Sequence, residues 1–230
     1  MDLRNPAATV TMPGVFVLWQ CDERRAIYEA LERGETPRTS AGHLPVVSTL
    51  NGAGASFPIH SATKGVGLLP SAEYLAPLVA RVEACLDRCQ GRSPQETRAE
   101  RIAVARSLYD NPEWIDRGAL GSIEIFRGCL CRNLVADPRA TLLFTGPWPK
   151  YPSYQFNCEV EFVGPRDAAF RFIRGMRLLF ESEKFHIQQP DYPFGYVFHI
   201  REVFDKTPRK LRPGERYDRC PHRAMDTPGA

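Results

Sequence analysis

LGSIEIFRGCLCRNLVADPRATLLFTG, residues 120–146, is the stretch whose reading decides the fold of this 230-residue chain. It opens with a strand-like alternation in which Ile123 and Ile125 point one way and Glu124 the other. Arg127 and Gly128 then turn the chain. A short helical piece at residues 131–136 stops at Asp137–Pro138, because proline drives the residue before it out of the helical region. An apolar strand, residues 141–145, leaves on the far side. A turn that opens a helix shows backbone N–H groups without partners. With Arg127 and Arg132 beside it, such a turn suits an anionic group such as a phosphate. Junctions of this kind also occur with nothing bound, so the local pattern leaves both readings open.

Working outward, residues 154–163 give the clearest strand. Tyr154, Phe156, Cys158, Val160 and Phe162 alternate with polar residues, and Glu159 and Glu161 share the wet face. Paired carboxylates can serve acid–base chemistry, but on a half-exposed strand they are more often its solvent side. Residues 166–181 form a helix with an apolar stripe from Ala169 to Phe180, and residues 196–204 a last strand carrying His199. Upstream, Asn51–Gly52 between two extended segments (residues 44–50 and 55–62) reads as a tight hairpin turn, with Pro45 and Pro58 pushing the segments towards a sheet edge. Residues 71–90 and a second helix to about residue 109 follow. The second opens on Ser93-Pro94-Gln95-Glu96, a capping box with proline at the first helical position. Residues 23–33 are helical up to Gly34, and the apolar run at residues 15–19 reads as a short strand.

The composition bounds what the chain can be. Hydrophobic residues at 43% are enough for a real core, and a net charge of +3 without a basic block argues against a nucleic-acid partner. No apolar run approaches the roughly 20 residues of a membrane helix. Seven cysteines behind a short polar N-terminus point to reduced thiols in a cytoplasm. Cys85 and Cys89 lie one helical turn apart, which could suit a metal, but without a second pair ordinary buried cysteines are the better expectation, and no metal site is assigned. The Cys220–His222 pair falls in a tail read as mobile.

RGCLCRNLVADPRATLLF resembles the signature of the pyridoxamine 5'-phosphate oxidase-like, FMN-binding split-barrel superfamily. The likeness continues in YQFNCEVEFVGPRDAAFRFIRGMRLLF and YVFHIREVFDKTPRKLR, and extends to LPVVSTLNGAGASFPIHSA as a first hairpin. It departs at Leu130, where that family carries a lysine or arginine. The resemblance implies an α+β, mostly β fold: a split antiparallel β-barrel with peripheral helices, here a single domain over residues 1–230. A helical insertion at about residues 66–118 and a flexible tail from about residue 208 are expected additions. It also implies a homodimer and FMN-dependent oxidation or reduction of a small organic molecule. Arg127, Arg132 and Asn133 would hold the cofactor's phosphate region, opposite Ser61, Thr63 and Lys64, and His60 or His199 would face substrate or ring as catalytic groups. Two other readings stay open: haem in the same barrel with His60, His186 or His199 as axial ligand, and a binding or assembly protein with a degenerate flavin site.

Overall fold

The structure, a computed structural model, describes residues 10–37, 41–147, 149–181, 189 and 191–208. His186 and the Cys220–His222 tail lie outside the described residues. Among the described residues, five α-helices and seven strands follow in the order α1 (Gly14–Glu32), β1 (Val46–Leu50), β2 (Ile59–Thr63), β3 (Gly67–Pro70), α2 (Ala72–Cys89), α3 (Pro94–Tyr109), β4 (Ile115–Ile123), α4 (Cys129–Ala136), β5 (Arg139–Thr145), β6 (Ser153–Val163), α5 (Ala168–Leu178) and β7 (Gly195–Asp205).

The strands form one antiparallel sheet in the order β2-β1-β5-β6-β7-β4-β3. Its two edge strands, β2 and β3, are joined by residues 64–66 alone. Laid flat, the seven strands would hold those edges roughly 29 Å apart, six spacings of about 4.8 Å. Four Cα steps from Thr63 to Gly67 reach about 15 Å at most. The sheet therefore has to roll up, yet no ladder joins β2 to β3. A barrel left open along one seam is the split, α+β architecture that the sequence leads one to expect.

One face of the rolled sheet makes the core. Val47, Leu142, Phe156 and Val203 stand opposite one another across β1, β5, β6 and β7, and Val160, Phe198, Leu120 and Leu68 across β6, β7, β4 and β3; all eight are buried. The other face of β5, β6 and β7 is polar. There Thr141 Oγ1 donates to Asn157 Oδ1 and Asn157 Nδ2 to Glu202 Oε2. Glu159 and Glu161, on that same side, are tied to Arg201 and His199. They are the sheet's solvent face, as their alternation suggests. Against β4, α5 comes unusually close: a Cβ on Gly121 would lie 2.8 Å from Ile173 Cδ1 and 2.7 Å from Leu69 Cδ2, so only glycine fits there.

The N-terminal segment is the main correction. Residues 15–19 are the first turns of α1, not a strand. Phe16, Val17, Gln20, Cys21, Tyr28 and Leu31 are buried while Val15 and Leu18 are exposed, a helical period that five apolar residues in isolation do not reveal. The hairpin of β1 and β2 is present, with Leu50 paired to Ile59, but an eight-residue connection replaces the two-residue turn. Asn51 N donates to Pro58 O, and Asn51 Nδ2 to Phe57 O. β2 is an edge strand, which is where Pro58 steers it. Local signals elsewhere hold. The helix over residues 71–90 is α2, and α4 ends at Ala136, just before Asp137–Pro138. The Asp137 carboxylate takes hydrogen bonds from the Arg139 guanidinium and backbone N–H, which lower its pKa to about 2.

At α3 the capping box is complete: Ser93 Oγ accepts from Glu96 N, and Glu96 Oε2 accepts from Ser93 N. Ser93→Ala is expected to cost about 1 kcal/mol. A urea titration should show the midpoint lowered with the slope unchanged. No shift in the midpoint would mean that burial of Ile102, Ala105 and Leu108 alone sets this helix.

Candidate functional site

The turn after β4 is a nest of amides, and the chain fills it itself. Glu124 Oε1 accepts from the backbone N–H groups of Ile125 (3.0 Å), Phe126 (2.8 Å) and Arg127 (2.9 Å). Arg127 takes a positive φ of 48°, the left-handed conformation that lets successive amides converge on one oxygen. The second carboxylate oxygen, Oε2, accepts from Lys64 Nζ at 3.1 Å and from the Tyr196 hydroxyl at 2.5 Å. All three side chains are inside the fold, with the Lys64 and Glu124 side chains only 12% and 5% exposed. The turn binds an anion, as its sequence suggests, but that anion is Glu124 rather than a phosphate.

Burial pushes the Glu124 pKa up, but the Tyr196 hydrogen bond, the Lys64 charge and the Phe126 amide outweigh it and hold the carboxyl below its usual range. Burial lowers the Lys64 pKa against the pull of Glu124, and burial with Glu124 raises that of Tyr196. The cluster is thus a carboxylate clamped between an ammonium and a neutral phenol.

The sequence-chosen site residues separate. Lys64 is spent on Glu124. Ser61 and Thr63 are exposed on β2, and Ser61 Oγ is hydrogen-bonded to Ser48 Oγ at 2.8 Å. Arg127 is exposed with its guanidinium over the Phe194 ring, and Arg132, also exposed, donates to Cys129 Sγ. Asn133 is structural: its Nδ2 donates to Thr49 Oγ1 and Asn51 Oδ1, lashing α4 to the hairpin. The residues named for a phosphate do not converge, because Asn133, Arg132 and Arg127 each serve a separate local contact. The histidines do not meet either. His60 pairs with Thr49 in the β1–β2 ladder, and His199 sits on β7, four strands away in the sheet order, held by Glu161 at 2.8 Å.

What the sequence does not reveal is a cavity of about 480 Å³ between α1, α5 and the seam of the barrel. That lies within the roughly 300–1,000 Å³ usual for small-molecule sites. Both segments singled out in the sequence reach it: Thr63 and Lys64 from the exit of β2, and Ile123, Ile125 and Phe126 from the turn after β4. Its walls are aromatic and aliphatic, with Tyr28, Tyr109, Phe172, Ile173, Met176 and Phe180 among them. Arg24, His43, Lys64 and Arg177 also line it, and no carboxylate does among the described residues. His43 is the one imidazole in these walls among the described residues, and neither His60 nor His199 lines them.

One further group has metal-ligand chemistry. The Cys85, Cys89 and Glu100 ligand atoms lie within 4.8 Å of one another. Burial, with Cys89 beside it, pushes the Cys85 thiol up to about 12, and Glu100 is already bound by Arg88 and Arg92. The Cys85 thiol, held protonated by burial, and a carboxylate neutralised by two guanidinium groups oppose cation binding.

No protein-family model and no curated protein matches the sequence. Among solved structures the chain is similar to an FMN-binding protein from Syntrophomonas wolfei subsp. wolfei at 7% identity, over 85% of this chain and 92% of that one, with a TM-score of 0.39. It is similar to General Stress Protein 26 from Bacillus anthracis str. Sterne at 8% identity, over 83% of this chain and 98% of that one, with a TM-score of 0.37. A heme binding protein from Mycobacterium smegmatis matches at 14% identity over 80% of this chain, which spans about half (52%) of its length, with a TM-score of 0.39. These likenesses are weak, and the function proposed below rests on the chain's own residues. No helix among the described residues is long and apolar enough to cross a membrane.

Proposed function

We propose that this chain binds an aromatic small molecule in the cavity between α1, α5 and the barrel seam. The observation that carries this reading is the cavity's lining: a continuous set of aromatic and aliphatic side chains, bounded by cations and free of carboxylates among the described residues. Apolar walls with a few placed polar groups are what a small-molecule site requires. Flavin mononucleotide is the first candidate because the sequence resembles FMN-binding split-barrel proteins. Bound flavin would supply two-electron chemistry on a small organic molecule, while the protein contributes position and electrostatics.

The residues present fit the flavin in part. Phe172, Ile173 and Met176 offer apolar surface to a ring, and Lys64 brings a charge that Glu124 neutralises. The amide nest is unavailable to a phosphate, because a carboxylate already accepts all three of its hydrogen bonds. Any phosphate must therefore find its partners elsewhere.

The test is a fluorescence-quenching titration of FMN with wild-type protein and Ile173→Trp, which fills the cavity from α5. Wild type should quench FMN saturably at one per chain and the variant at least tenfold more weakly. Equal affinity in a folded variant removes the cavity from the reading. A Soret band in the visible spectrum of the purified protein would replace flavin by haem, with His43 as the imidazole at hand. The same reading expects a homodimer, so light scattering should give about twice the chain mass of 26.0 kDa.

A further inference from the structure

Three polar groups on the cavity wall make no hydrogen bond or ion pair among the described residues. Arg24, on α1, has no hydrogen-bond or ion-pair partner among the described residues. Its guanidinium carbon lies 5.9 Å from the centroid of the Tyr109 ring, a cation–π contact. The hydroxyls of Tyr28 and Tyr109 likewise have no hydrogen-bond partner among the described residues, although each tyrosine is only 4% exposed. Arg24 Nη2 and the Tyr109 hydroxyl each lie 3.9 Å from the position a Cβ on Gly67 would take, so the two point at one volume. Two carboxylates near Arg24 and Tyr109 in sequence are engaged, Asp22 by Arg25 and Asp110 by Arg106. The other charged groups of the wall are engaged too, Lys64 by Glu124 and Arg177 by the Tyr192 hydroxyl.

We propose that Arg24, Tyr109 and Tyr28 together bind the anionic end, a carboxylate or phosphate oxygen, of an otherwise aromatic ligand in this cavity. A cavity-facing phenol that a ligand removes from water costs free energy unless an acceptor oxygen pairs with it. A guanidinium supplies the charge and a forked donor for it. Burial raises the pKa of both tyrosines, so both hydroxyls keep their protons and act as donors. Asp and Glu are missing from the lining among the described residues, so an anion entering here meets no like charge. The arrangement selects against neutral aromatics, which would displace water from Arg24 and two hydroxyls without giving them partners.

This rests on the cavity being a ligand site, and the experiment separates the two claims. Two fluorescent probes with similar aromatic bodies are titrated into the full chain: anilinonaphthalene sulfonate, which is anionic, and N-phenyl-naphthylamine, which is neutral. Wild type should bind the anionic probe roughly tenfold or more tightly than the neutral one, the ratio one charge-assisted contact supplies. Arg24→Met, which keeps the side chain's apolar length, should erase that preference by weakening the anionic probe alone. Tyr109→Phe should reduce it by severalfold, and this smaller change decides the matter if Arg24→Met fails to fold, as judged by its thermal melt. A preference that survives both variants, or equal binding of the two probes to wild type, overturns the anion site. If both probes bind equally and Ile173→Trp blocks both, the cavity stands and only its anion specificity falls. If Ile173→Trp blocks neither, the cavity reading falls and the inference with it.

Discussion

Glu124→Ala is expected to cost roughly 3–5 kcal/mol, the range for leaving one partner of a buried ion pair alone. The loss has three parts. Lys64, 12% exposed, keeps a charge without a partner. The amides of Ile125, Phe126 and Arg127 lose their shared acceptor, and the left-handed Arg127 loses what holds it. The Tyr196 hydroxyl loses its acceptor in the interior. Lys64→Met paired with Glu124→Leu should recover only part of this, since an apolar pair can replace the two charges but not the acceptor for three amides. Full recovery in chemical denaturation would show that the nest does not matter.

The same carboxylate fixes a pH dependence. Its folded pKa lies below the ordinary 4.5, so its contribution is fully present above that value and fades as pH falls through the lower, folded one. Wild type should lose stability across that acid window more steeply than Glu124→Leu/Lys64→Met. Parallel acid profiles would take the carboxylate out of the account.

Phe16→Ala is the second large effect, expected at roughly 3–5 kcal/mol. Phe16 is fully buried and meets Phe156, Phe144 and Tyr154 edge-to-face at ring separations of 4.7, 5.1 and 5.2 Å. A chain of this size should lose roughly 6–20 °C of thermal midpoint. Val15→Ala and Leu18→Ala, at 63% and 49% exposure, should stay within about 0.5 kcal/mol of wild type. That contrast is the signature of a helix. A strand over the same five residues would set Val15, Val17 and Trp19 on one face, and Val15→Ala would then be the costly change.

What was legible in the sequence follows from range. The capping box at Ser93, the stop at Asp137–Pro138 and the alternation of β6 up to Glu161 are decided within a few residues and are where the sequence puts them, whereas Phe162 is exposed and Val163 buried in its stead. The resemblance supplied the rolled sheet, and the three-residue link between β2 and β3 gives its physical reason. Short elements escaped: β3 is four residues ending in Pro70, and the first half of β4 is masked by Gly118 and by polar Asp116 and Arg117. The site escaped for a different reason. Glu124 meets Lys64 across 60 residues and Tyr196 across 72, and the cavity draws Arg24 and Tyr28 from a helix whose first turns looked like a strand. In sequence, Glu124 shows only as an acid opposite two isoleucines, and Arg24 as one charge among several. Their meaning lies in which elements the fold brings together.

The central claim is that a ligand enters between α1, α5 and the seam rather than onto the surface of α4 and the hairpin. Isotope-labelled isoleucine and methionine methyl groups report on this directly in an NMR titration with FMN. Ile173 and Met176 line the cavity, whereas Ile59 marks the exposed hairpin, at 56% exposure. The account predicts that the Ile173 and Met176 signals shift saturably together while Ile59 stays in place. Saturable shifts at Ile59, with Ile173 and Met176 unmoved, would contradict it.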